Sequence, residues 1–133
     1  MKNYSCIILF CQVFIIVSCR TNSQAYSVIP NEKIIGKVIN IDSTQSWYII
    51  NFEYNSNKKG VFISQRSKCR YPKKSKLIKI NQSYNFELSR MIQNNYNEKN
   101  QVFEVEGKET WDSSSGIDYF EYSSNTCGLY TWK

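Results

Sequence analysis

The chain has 133 residues, 41% hydrophobic and 15% aromatic, with five glycines and two prolines, a balance that suits one packed β-rich domain and excludes a disordered linker. Seventeen Lys and Arg against 11 acids leave a formal charge of +6. Histidine is absent, which removes every catalytic plan built on an imidazole base, Ser-His-Asp and Cys-His arrangements among them.

At the amino end, Lys2 supplies a short positive start, residues 6–17 form an apolar core of 12 residues broken by Gln12, and Ile16-Val17-Ser18-Cys19 closes it. This core falls short of the roughly 20 apolar residues that cross a bilayer, so it predicts a cleaved export signal. The closing four residues resemble a bacterial lipobox. That resemblance implies cleavage after residue 18, lipidation (palmitate) of Cys19 and a domain held to a bilayer in the cell envelope. The alternative is an ordinary secretory signal cut after Ser23-Gln24-Ala25, which would release a secreted protein.

Residues 19–32 are polar, lack a period and contain Pro30, so they are expected to be a lipidated cysteine and flexible tether ahead of a β-barrel domain at 33–133. Within the domain the period becomes two. Residues 33–42 predict a strand whose Gly36 suggests a bulge or sharp bend. Residues 46–54 put Tyr48, Ile50, Phe52 and Tyr54 on one face against Asn51 and Glu53. The turn cluster 55–60 and Val61-Phe62-Ile63 complete a hairpin. A long connection at 67–81, with room for one helical turn, has Leu77, Ile78 and Ile80 as its aliphatic anchors. Residues 83–91 alternate Tyr84, Phe86 and Leu88 with Asn85, Glu87 and Ser89. After a polar loop at 93–100, a fifth strand is expected at 102–111, a short one at 117–122 and a last at 128–132.

Five to seven short antiparallel strands with one long crossover describe an all-β barrel or sandwich. The order of three strands, a long link and then Ile78-Lys79-Ile80-Asn81-Gln82-Ser83-Tyr84-Asn85-Phe86-Glu87-Leu88 resembles the OB-fold-like barrel of small Bacteroidota-type lipoproteins. In that pattern a hydrophobic-glycine-x-tyrosine-x-phenylalanine phrase opens the fourth strand; here Asn81 or Gln82 stands where the glycine is expected. The resemblance covers roughly residues 33–111 and implies a barrel, with no functional residue attached.

Removing the signal and acylating Cys19 leaves Cys69 and Cys127, which an oxidising compartment should join as a disulfide. Without any histidine these two cysteines do not make a metal site, and no cofactor is expected. Charge is unevenly spread: residues 58–79 carry nine basic side chains and no acid, while 98–121 carry seven acids and two lysines. Lys68, Arg70, Lys73, Lys74, Lys76 and Lys79 therefore form an expected patch for an anionic ligand, or else a solvated loop. Glu104 and Glu106 could pair for acid chemistry, but alternation with Phe103 and Val105 is what a half-buried strand requires. Of Trp47, Trp111 and Trp132, Trp47 falls on the outer face of its strand and is the expected stacking residue for a sugar.

No motif specifies a reaction. The sequence points to a monomeric, non-enzymatic envelope lipoprotein acting as a binding or accessory module, its partners a bilayer through Cys19 and a glycan or other anionic envelope ligand rather than nucleic acid. The alternative is an inhibitor or immunity-type protein that blocks a protein partner.

Overall fold

A computed structural model describes residues 31–66, 69–90 and 101–133. The export signal, Cys19, nearly all of the tether, Lys68 and the expected loop at 93–100 lie outside the described residues. The strands are β1 (Glu32–Ser43), β2 (Trp47–Tyr54), β3 (Lys58–Gln65), β4 (Lys76–Leu77), β5 (Ser83–Arg90), β6 (Val102–Val105), β7 (Lys108–Asp112), β8 (Ile117–Ser123), β9 (Thr126–Cys127) and β10 (Tyr130–Thr131). Five of them close into a barrel in the order β1-β2-β3-β8-β5, with a three-stranded sheet β4-β10-β9 and a two-stranded sheet β6-β7 beside it. The expected all-β barrel is thus present, and the described part of the link between β3 and β5 forms β4 rather than a helical turn. One ladder departs from the antiparallel expectation: β3 and β8 run parallel, from Lys59↔Ile117 to Phe62↔Phe120.

The barrel closes because the inward positions of its strands are large and apolar while their neighbours are polar. Phe52, Phe62, Phe86 and Phe120 are fully buried and join Ile34, Val38, Ile50, Tyr54, Ile78, Tyr84 and Leu88 in one core. Phe52 is central. Its ring lies 5.6–5.8 Å from those of Tyr54, Phe62, Phe86 and Phe120, tilted or edge-on as aromatic quadrupoles prefer. Two glycines make room for it. A Cβ at Gly36 would stand 2.5 Å from Phe52 Cδ2, and one at Gly60 2.5 Å from Phe52 Cζ. Gly36 therefore admits a ring rather than forming the expected bulge; the register of β1 on β2 shifts two residues later, between Val38 and Asn40.

The expected fifth strand is in fact a hairpin. Val105↔Lys108 closes a two-residue turn in which Glu106 (φ 51) and Gly107 (φ 75) are both left-handed, as a type I′ turn demands. The hairpin lies on the outside of the barrel. Its Phe103 and Trp111 rings stand 4.8 and 5.8 Å from Tyr119 of β8, and Trp111 Nε1 donates to the Ile117 carbonyl at 2.5 Å. Burial there, with the charge of Glu121 beside it, pushes the Tyr119 phenol up to about 12. The hairpin turn is fastened to the β1–β2 turn: the Ser46 amide donates to the Glu106 carboxylate at 3.1 Å, and Lys108 pairs with Asp42.

A polar network joins β1, β2, β5 and β8. The Arg90 guanidinium lies 5.0 Å over the Phe120 ring, donates from Nε to Glu32 at 2.8 Å and faces Asp118 at 3.7 Å, while the Tyr54 hydroxyl donates to Asp118. Burial, then the bond to Asp118, raises the Tyr54 phenol above its ordinary value. Burial works against the Arg90 charge, yet its bonds to Glu32 and Tyr54 hold it above the usual guanidinium value.

The β4-β10-β9 sheet adds Ile78 and Leu129 to the core. The Ile78 amide donates to the Leu129 carbonyl at 2.7 Å, and of the three aliphatic anchors expected in the link only Ile78 is buried, with Leu77 and Ile80 exposed. Cys69 and Cys127 form the expected disulfide, with Cα atoms 5.6 Å apart and a sequence separation of 58. Closing a loop of that size stabilises by about 4 kcal/mol in the chain-entropy picture.

Candidate functional site

On the outer face of the β1–β5 ladder lies a groove of about 670 Å3. Three separate parts of the chain build it. The ladder supplies Ile35, which stands opposite Asn85, together with Ser83 and the buried Tyr84. Ile35 points out of the barrel because its neighbours Ile34 and Gly36 are the inward residues of β1, and it is 70% exposed. The link supplies Pro72, Lys73, Lys74 and Lys76, and the segment through β10 supplies Thr131, Trp132 and Lys133.

Each wall is fixed by named hydrogen bonds. In the link, Ser75 turns back through its amide and hydroxyl onto the Pro72 carbonyl, at 3.0 and 2.6 Å. The Tyr84 hydroxyl accepts from the Lys79 amide at 2.8 Å and donates to the Leu77 carbonyl at 2.9 Å, so the link is pinned to β5 on the far side of Lys76. Lys76 itself lies across from Thr131 in the β4–β10 ladder. The disulfide holds the near side of the link to β9.

The Trp132 wall depends on Asn125, a buried amide that uses all its capacity. Its Nδ2 donates to the Asn85 carbonyl (2.9 Å) and the Trp132 carbonyl (2.8 Å), while its Oδ1 accepts from the Glu87 amide (2.9 Å) and the Ser123 hydroxyl (3.0 Å). Its own carbonyl takes the Thr131 hydroxyl at 2.9 Å and the Trp132 amide at 3.2 Å. One side chain thus ties the β10 segment to the β5 edge and fixes where the tryptophan stands.

The charged side chains of the groove have one sign. Four lysines line it, no Asp or Glu does, and among the described residues none of the four is ion-paired. Of the expected patch, Lys73, Lys74 and Lys76 come together here, joined by Lys133, which the sequence did not single out. Arg70 and Lys79 are exposed outside the groove. Trp47, the expected stacking residue, is half-buried at the start of β2 opposite Gln65; the ring that lines the groove is Trp132. Among the described residues no two tryptophans form a ring pair. Trp111 is engaged with Tyr119 beneath the hairpin.

The two acids weighed for catalysis are separated by role. Glu104 is exposed on β6 opposite Glu109, whereas Glu106 sits in the turn and serves the Ser46 amide, and neither lines the groove. Hydrogen bonds from the Ser46 and Thr44 side chains and the Ser46 amide hold the Glu106 carboxyl below its ordinary value. The Lys108 ammonium, with the Ser43 amide, does the same for Asp42.

A smaller recess of about 420 Å3 lies beside the disulfide, lined by Tyr48, Arg66, Tyr71, Leu77 and Tyr130. The Tyr71 and Tyr130 rings are stacked at 4.3 Å, and Arg66 lies 5.1 Å over Tyr48 while donating to the Thr44 carbonyl at 2.6 Å. Compared with models of protein families, with curated proteins and with solved structures, the chain matches none of them.

Proposed function

We propose that the chain is a non-enzymatic lipoprotein of the cell envelope, anchored to a bilayer through Cys19, whose OB-type barrel is a binding or accessory module for an anionic ligand. The observation that carries this reading is the groove, lined by four lysines, by no acidic side chain and by the apolar surface of Ile35, Pro72 and Trp132. Such a combination attracts negative charge and buries apolar surface at the same place. The OB-type assignment is supported by the order of the barrel: three consecutive strands, a long link, a fourth strand paired back on the first, and a last strand parallel to the third. The anchor is supported by the phrase Ile16-Val17-Ser18-Cys19 at the end of an export core.

Metabolic labelling with a fatty-acid probe should mark the wild-type chain and leave Cys19→Ser unlabelled; equal labelling of the two overturns the anchor. At low salt the wild-type domain should bind either anionic vesicles or an acidic polysaccharide, and retention of neither overturns the anionic ligand.

A protein-blocking role is favoured by the smaller recess, where the stacked Tyr71 and Tyr130 stand beside exposed Leu77. Tyr71→Asp would abolish such a role while leaving the lysine groove untouched, which separates the two readings.

A further inference from the structure

We propose that the ligand of the lysine groove is a chain of acidic sugars, a polysaccharide of the uronic-acid kind, rather than the surface of a bilayer. This inference rests on the anionic-ligand reading and names its ligand class. Shape is the first argument. A bilayer is flat on the scale of this domain, so a protein that docks on one presents its lysines from a protruding surface. Here Lys73, Lys74, Lys76 and Lys133 line a groove, together with residues of the β1–β5 ladder.

The floor gives the second argument. Ile35, Pro72 and Trp132 offer aliphatic and ring surface, while Gln82, Ser83 and Asn85 bring two amides and a hydroxyl into the same groove. A pyranose ring has an apolar face of CH groups, suited to packing on an aromatic or aliphatic wall, and a belt of hydroxyls suited to amides and hydroxyl groups. An acyl chain would leave the Ser83 hydroxyl and the Asn85 side-chain amide without partners. The carboxylate that each uronic acid carries then falls to the lysine rim, where ammonium groups act as point charges and tolerate the varied spacing of a flexible polymer. A groove of 670 Å3 is of the size that holds a small ligand, about 300–1,000 Å3, and so accommodates a short stretch of such a chain.

The test titrates the domain at low salt with alginate oligosaccharides, neutral dextran oligosaccharides of matched length, single-stranded oligodeoxynucleotide, and vesicles containing phosphatidylglycerol. Alginate should bind, dextran should not, and affinity should fall as salt is raised. The triple variant Lys73→Gln, Lys74→Gln, Lys76→Gln should weaken alginate binding by roughly tenfold or more. Trp132→Ala should weaken it about fivefold or more through lost stacking. Ile35→Glu places an acid in the floor at an exposed position and should abolish binding without touching the core. Alginate binding that survives Trp132→Ala and Ile35→Glu overturns the proposal, as does equal binding of dextran. Vesicle or oligonucleotide binding that the triple variant removes, without alginate binding, overturns the sugar assignment and leaves the anionic-ligand reading standing. Binding of no probe overturns both.

Discussion

Phe52 and the two glycines that receive it set the tolerance of the core at single-residue resolution. Gly60 is the sharper case, since an added Cβ there would meet Phe52 Cζ at 2.5 Å and Phe120 Cε2 at 3.0 Å. Neither ring can retreat, because both are fully buried and Phe52 is surrounded by four other rings. Gly60→Ala should therefore destabilise the barrel by about 1–3 kcal/mol, the usual cost of overpacking, rather than stabilise it as removal of a strand glycine would. A denaturant midpoint equal to or above wild type would show the argument wrong. In the sequence Gly60 reads as the end of a turn cluster, although it lies within β3 opposite Phe52, and at Gly36 a bulge and a close approach leave the same mark, an isolated glycine in a strand. Only the ring opposite distinguishes them. Asn125 was illegible for a related reason: an asparagine in a short polar run reads as a turn, and its six bonds reach residues as far off as Asn85 and Glu87.

Among the elements, the β6–β7 hairpin is held on the barrel partly by charge. The Glu106 and Asp42 carboxyls both lie below their ordinary values of 4.5 and 3.8. A carboxyl whose folded value is depressed contributes stability that is present above its unfolded value and lost as pH falls through the folded one. The hairpin turn should thus loosen from the β1–β2 turn as the solution is acidified below about pH 4.5, while the barrel persists. The amide resonance of Ser46 should move with that titration in the wild type, and the Glu106→Gln variant should lack the step. A Ser46 amide unmoved through the whole carboxylate range would overturn the claim. The strands β2 and β5 were legible because alternation of large apolar and polar residues is a local signal, and β3 because an apolar run follows a turn cluster. The hairpin was not, because its turn is Glu-Gly rather than Asn-Gly or Asp-Gly, and the polar residues Glu104, Glu106, Lys108, Thr110 and Asp112 continue the alternation straight through it. The groove was half legible: its lysines stand together in the link, while Ile35, Trp132 and Lys133 reach it only through tertiary pairing.

For the whole molecule, the parallel ladder between β3 and β8 fixes an order of events during folding. β1, β2 and β3 are joined by short turns and can pair as soon as they exist, whereas Lys59 must wait for Ile117, well over fifty residues later. Non-local pairing of this kind is slow because loop-closure entropy is lost before contacts repay it. A chain that emerges amino end first therefore spends time as an open three-stranded meander, with the β3 edge unpaired and Phe62 exposed. Such an edge invites pairing with another copy, and charged side chains, lysine above all, are what discourage it. Lys58 and Lys59 stand at the start of that edge and remain exposed in the finished barrel, where they form no ion pair among the described residues. This order of events predicts that they guard the meander until β8 arrives. Pulse-labelled hydrogen exchange during refolding should protect the amides of Ile49, Ile50 and Val61 before that of Phe120. Simultaneous protection would instead mean that the barrel closes in one step, and the two lysines would then have no interval in which to act.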